Sequence, residues 1–182
     1  MGKKLTLTQI KKELNKKTAA ELVGIICELC KTSKEAADMV NLTLGDDSFV
    51  DDALADAKAK VRNQFFPKRG FGQLDLRAAK SAITAFKKVC NVSEKLIDLQ
   101  MYYVECGIEF TNTYGDINAS FYNSVGGMYA VVVESLIKLD DSELTKKFMP
   151  RLEKAVSDAE GIGWGFPDDL YNSFLQIVDC EE

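Results

Sequence analysis

An all-α fold is the expectation for this sequence, and three features carry it. Hydroxyl, amide or carboxylate side chains stand where helix N-caps are needed, apolar residues recur at a period near 3.6, and glycine or proline follows several of the periodic stretches. A helix pair is expected to begin near residue 5, in "LTLTQIKKELNKK". Thr18 with Glu21 has capping spacing, and Leu22, Ile25, Ile26 and Leu29 then repeat at helical period. Thr32 with Glu35 and Ser48 with Asp51 repeat the cap signal. After Ser48, Phe49, Ala53, Leu54, Ala57, Val61 and Phe65 mark one face, until Pro67 stops the helix and "PKRGFG" makes a loop.

Asp75 opens the next helix, with Leu76, Ala79, Ile83 and Phe86 on one side. Ser93 opens a long one through Leu96, Leu99, Tyr103, Ile108 and Phe110, ending near Gly115. Asn118 caps a helix reaching Leu139. Asp141 or Ser142 starts another that ends at Gly161, and the last runs from about Asp168 to Cys180. "AVVVESLI" has the β-branched content of a strand, yet it continues the period begun at Tyr122 with no turn signal between, so it is read as helix. Eight or nine helices with short connections make sequence neighbours antiparallel. Pairs beginning near residues 5, 33, 75 and 118 have the spacing of helical-repeat arrays, although no repeat consensus is legible. The expected architecture is an α-solenoid-like (HEAT/TPR-like) stack of antiparallel pairs, with an irregular helical bundle as the alternative. It is read as a single domain over 1–182, with a subdivision point near 67–74.

Composition places the chain among ordinary globular proteins: 182 residues, 46% apolar, 28% charged, and only 3 prolines. The basic start "MGKKLTLTQIKKELNKK" has no apolar segment after it of the kind a signal peptide carries, and "MYAVVV" falls far short of the roughly 18 apolar residues of a membrane span. Five cysteines in a chain of this length read as reduced thiols, so a cytoplasmic location is expected and no membrane partner.

"MYYVECGIEFTNTYGDINASFYNS" (Met101 to Ser124) and "GIGWGF" (Gly161 to Phe166) together resemble the signature of an uncharacterised bacterial family of small all-helical proteins, a domain of unknown function. The resemblance covers about Phe65 to the end. That family's pattern usually has a histidine after "GWGF", where this chain has Pro167, so a role for that histidine does not carry over. The resemblance implies a bacterial cytoplasmic protein and supplies no activity, cofactor or partner.

The chain has no histidine, which removes Ser-His-Asp triads, Cys-His dyads and histidine-containing metal sites. "CELC" (Cys27 to Cys30) has redox or zinc spacing, but it lies in mid-helix beside Ile26 and Leu29 with no second ligand pair. It is read as buried thiols. "DINAS" imitates the start of a calcium loop, with Asp116, Asn118 and Ser120 at positions one, three and five. Phe121 and Gly127 then stand where the loop needs glycine and glutamate. No metal and no cofactor is expected.

Charge is more informative. Residues 58–92 carry nine Lys/Arg against one Asp/Glu, whereas residues 93–182 carry six against seventeen. The basic block, with Arg62, Lys68, Arg69 and Arg77 as its leading residues, is expected either to face a partner or to fold against the acidic half. Phe65, Phe66 and Phe71 are interleaved with it.

Two functional readings follow. The preferred one is a non-enzymatic helical interaction module binding a protein or polyanionic partner, with nucleic acid not favoured. The alternative is a small enzyme or ligand-binding protein with a carboxylate and aromatic site around Tyr102, Glu105, Glu109, Asp116 and Trp164. In "GIGWGF", Gly161 is placed as the residue just beyond a helix C-terminus. Trp164 and Phe166 are expected to insert between the last two helices as a structural anchor.

Overall fold

The computed structural model describes residues 4–44, 47–68, 74–90 and 93–178. Every regular element among them is a helix: α1 (Leu7–Leu14), α2 (Ala19–Thr32), α3 (Lys34–Leu44), α4 (Asp47–Phe65), α5 (Leu76–Val89), α6 (Ser93–Tyr114), α7 (Ala119–Leu139), α8 (Ser142–Asp158) and α9 (Phe166–Val178). The chain packs as two compact units, Met1–Phe49 and Val50–Glu182, so the subdivision point expected near 67–74 falls inside the second.

In the first unit, local signals do most of the work. Thr6 with Gln9 and Thr18 with Glu21 each form a full capping box, the hydroxyl accepting from the third helical N–H and the acid or amide accepting from the cap N–H. The next cap is Ser33, one residue beyond the expected Thr32. Ser33 has extended backbone (φ −134°, ψ 119°), and its hydroxyl accepts from the Ala36 N–H. Ser48 lies inside α4, which already starts at Asp47. α2 packs on α3, yet no described residue of α1, α2 or α3 is buried. The face carrying Val23, Ile25, Ile26 and Leu29 remains exposed. Cys27 shares that exposure and Cys30 is half-buried, which corrects the reading of "CELC" as buried thiols.

The second unit holds the core. α6 is its axis: Leu99, Met101, Tyr103 and Val104 are fully buried, and α5, α7 and α8 all pack on it. A helix that buries side chains around most of its circumference must have neighbours on most sides. α7 reaches α6 closely because Gly107 has no side chain; a Cβ there would come within 2.6 Å of Val125 Cγ2. α9 then packs on α7 and α8. α4 meets α6 through Phe65, whose ring stands edge-on to Tyr103 at 5.4 Å. The run "AVVVESLI" is helical throughout, with Val132, Val133 and Leu136 buried at helical spacing. Asn118, Asp75 and Asp141 are the N-caps of α7, α5 and α8. None of the described helices is long and apolar enough to cross a membrane.

Candidate functional site

Glu94, Asp98, Glu105 and Glu109 follow one another at spacings of four, seven and four residues, which places all four carboxylates along one stripe of α6. Cations from two neighbouring helices close on that stripe. From α4, Lys58 Nζ meets Asp98 Oδ2 at 2.7 Å, and Arg62 Nη2 donates to Glu109 Oε1 at 2.7 Å while Nη1 takes the other oxygen. From α8, Arg151 Nη1 donates to Asp98 Oδ1 at 2.6 Å. Its Nε and Nη2 grip Glu105 at 2.7 and 2.9 Å. Lys147 adds Glu94 at 2.6 Å. Lys95 pairs with Asp51 as well, tying α6 back to α4.

The electrostatics follow the geometry. Burial pushes the Asp98 carboxyl up, but the hydrogen bonds from Lys58 and Arg151 outweigh it and hold the group below the ordinary aspartate range. The Arg62 hydrogen bonds hold Glu109 below its usual range. Burial pushes the neighbouring Cys106 thiol up to about 11, so it stays protonated at neutral pH. Each of the four carboxylates of this stripe meets a cation, an arrangement that cross-links α6 to α4 and α8.

This redistributes the basic block. Arg62 spends its guanidinium on Glu109 and lies 4.4 Å from the centre of the Phe66 ring, which takes it out of the partner-facing set. Lys68 is exposed just beyond the end of α4, and Arg77 is exposed on α5. Arg69 and Phe71 lie outside the described residues. On α5 the buried side is Ala79, Ile83 and Phe86. At about 100° per residue, Arg77, Lys80, Lys87 and Lys88 fall within one arc beside it. None of these four, nor Lys68, makes an ion pair among the described residues. Lys80, Lys87 and Lys88 belong to this surface although charge totals alone did not single them out; their spacings from Arg77 of three, ten and eleven residues, which keep all four within one arc of a 3.6-residue helix, are the signal that could have.

Between the N-terminal ends of α5 and α7 lies a groove of about 780 Å³. Arg77 and Lys80 line one side. Asn118, Ser120, Asn123 and Ser124, from the start of α7, line the other. The groove also contains Asp75, whose Oδ1 is engaged with the amides of Arg77 and Ala78. The wall is therefore cationic and amide- or hydroxyl-bearing, suited to carboxylates or phosphates.

The alternative constellation separates into two places. Tyr102, Glu105 and Glu109 stay on the α6 stripe, where Lys58 lies 5.3 Å from the Tyr102 ring centre and the acids are paired as above. Asp116 and Trp164 meet elsewhere, around Tyr122. The Tyr122 hydroxyl donates to Asp116 Oδ1 at 3.0 Å, and the Trp164 indole stacks on the Tyr122 ring, with centroids 6.5 Å apart and planes 27° apart.

The anchor expectation is corrected for both residues: Phe166 is buried, but against α7 and not between the last two helices, and Trp164 is not buried. Phe166 is 1% exposed, in contact with Tyr122 and facing Gly126, so its ring lies between α7 and α9. Trp164 is 59% exposed. The reason is backbone direction: Trp164 has φ 66°, between Gly161 at 82° and Gly165 at 70°. That left-handed step turns the indole outward while the next turn brings Phe166 in. The segment "YGDI" and the segment "GIGWGF" thus lie side by side, and a Cβ on Gly163 would sit 3.2 Å from Asp116 Oδ2.

Among the described residues no group of three or more Cys, Asp or Glu could hold a metal ion. Neither a family model, nor a curated protein, nor a solved structure matches the chain.

Proposed function

We propose that this chain is a non-enzymatic interaction module whose α5 face docks an acidic segment of a protein partner. The observation that carries the reading is the contrast between two sets of cations. Lys58 and Arg62 of α4 and Lys147 and Arg151 of α8 are consumed by the α6 carboxylates, whereas Arg77, Lys80, Lys87 and Lys88 stand along α5 with no ion pair among the described residues. Unpaired cations around a polar groove raise the local concentration of an acidic ligand and steer its approach. The separation of Tyr102, Glu105 and Glu109 from Asp116 and Trp164 also favours docking over chemistry, because no single cleft gathers them.

The test is titration with poly-glutamate and, separately, a single-stranded oligonucleotide, each at low and moderate salt. Poly-glutamate should bind with salt-sensitive affinity, and the Arg77→Glu, Lys80→Glu variant should lose it while keeping the helical circular dichroism of the parent. Undetectable poly-glutamate binding at low salt would end this reading. Tight oligonucleotide binding with a steep salt slope would replace it with a nucleic-acid partner.

A further inference from the structure

Trp164 is the only tryptophan in the chain, and it is held outward in a left-handed conformation that residues with a side chain rarely adopt. One of its supports is the Tyr122 ring, itself buried and fixed by hydrogen bonds to Asp116 and to the Ile117 N–H. The indole is thus both exposed and backed by a rigid platform. Such aromatic residues dominate the energetics of protein interfaces, because they offer a large contact area at little entropy cost.

The charge beside it is uncompensated. Asp116 Oδ1 is engaged by Tyr122, but Oδ2 accepts no hydrogen bond among the described residues. Glu160, Asp168 and Asp169, all within five residues of Trp164 in sequence, are exposed and make no ion pair there either. Asp168 and Asp169 serve the first turn of α9, where negative charge suits the helix dipole. Glu160 and the free Asp116 oxygen have no such duty. The α6 carboxylates show the opposite pattern, each matched to a cation.

We infer that the Trp164–Tyr122–Asp116 corner is a second docking point, which receives an arginine side chain from a partner protein. The planar guanidinium stacks on the open indole and donates to Asp116 Oδ2, combining a cation–π contact with a charge-assisted hydrogen bond. Arginine fits better than lysine, since an ammonium cannot lie flat on the ring while presenting a fork of N–H groups. The site is independent of the α5 face, which selects the opposite charge.

Because Trp164 is the sole indole, its emission reads this corner directly. Titration with hexa-arginine should change the emission saturably, and uncharged hexa-serine should not. By calorimetry, Trp164→Ala should weaken hexa-arginine binding about two- to fivefold, the range of an exposed cation–π contact, and Asp116→Asn about tenfold or more, the range of a hydrogen bond between charged groups. The Arg77→Glu, Lys80→Glu variant should leave the emission change intact, which separates this site from the α5 face. An emission that does not respond, a hexa-lysine response as strong as that to hexa-arginine, or undiminished binding by Trp164→Ala would each overturn the inference.

Discussion

Arg62 on α4 and Glu109 on α6, 47 residues apart in the chain, form a bidentate pair with the guanidinium also lying over the Phe66 ring. The pair belongs to the fold and not to the partner surface. Arg62→Ala should therefore destabilise the protein by about 1 kcal/mol, the scale of a partly exposed ion pair plus a cation–π contact. Poly-glutamate affinity should stay unchanged. Urea denaturation together with the titration checks both halves. A variant that loses binding at full stability would return Arg62 to the docking surface.

Asp98 gives a pH dependence with a definite sign. Its native carboxyl ionises below the ordinary aspartate value of 3.8, and Glu109 below the glutamate value of 4.5. At pH values near and below these figures the unfolded chain binds more protons than the native one, so stability rises with pH there. The contribution is complete above the ordinary carboxylate range and is lost as pH falls through the native values. Chemical denaturation between pH 7 and pH 3 should show a plateau and then a decline. Asp98→Asn should lower the plateau by about 1.5–3 kcal/mol, as expected for hydrogen bonds between charged groups, and make the decline shallower. A decline as steep as that of the parent would contradict this role for Asp98.

The caps show what was legible in the sequence and where legibility stopped. Thr18, Asp75, Asn118 and Asp141 cap helices as their spacing indicated, because a cap is a local bargain between one side chain and amides two or three residues on. Thr32 and Ser33 offered adjacent hydroxyls, and only the backbone angle at Ser33 chose between them. Arg62 was visible as one charge among nine. Its pairing with Glu109 depends on how α4 lies on α6, which no local pattern encodes. Trp164 failed for a similar reason: apolar character indicates what a side chain prefers, but a left-handed step decides which way it points.

Two glycines should respond to alanine in opposite directions. At Gly107 a Cβ would meet Val125 Cγ2 at 2.6 Å and Cγ1 at 2.9 Å, deep between α6 and α7. Gly107→Ala should cost about 1–3 kcal/mol through overpacking, and Val125→Ala in the same chain should recover part of that loss. Gly24, in mid-α2, has nothing within 4 Å of the same position. There alanine gains helix propensity, worth about 1 kcal/mol in an exposed helix. Thermal melts followed by circular dichroism distinguish the cases, and a destabilising Gly24→Ala would reveal a neighbour on that face.

Trp164 and Phe166 are two residues apart and should behave as opposites. Phe166 is fully enclosed between α7 and α9, so Phe166→Ala removes a buried ring and should cost about 3–5 kcal/mol. Trp164→Ala forfeits a stacking contact with Tyr122, worth about 0.5–1.5 kcal/mol in a well-packed pair and less at an exposed one. Alanine keeps the left-handed strain, since it too has a Cβ, so no compensating gain arises at that position. The net loss should stay below about 1 kcal/mol. Trp164→Gly removes the strain as well as the indole, so it should match or exceed the alanine variant in stability. In the parent protein the single indole should emit near the wavelength of free tryptophan and be readily quenched by iodide or acrylamide. Blue-shifted, quencher-resistant emission, or a Trp164→Ala loss as large as that of Phe166→Ala, would place the indole in the core and remove the exposed corner on which arginine docking depends.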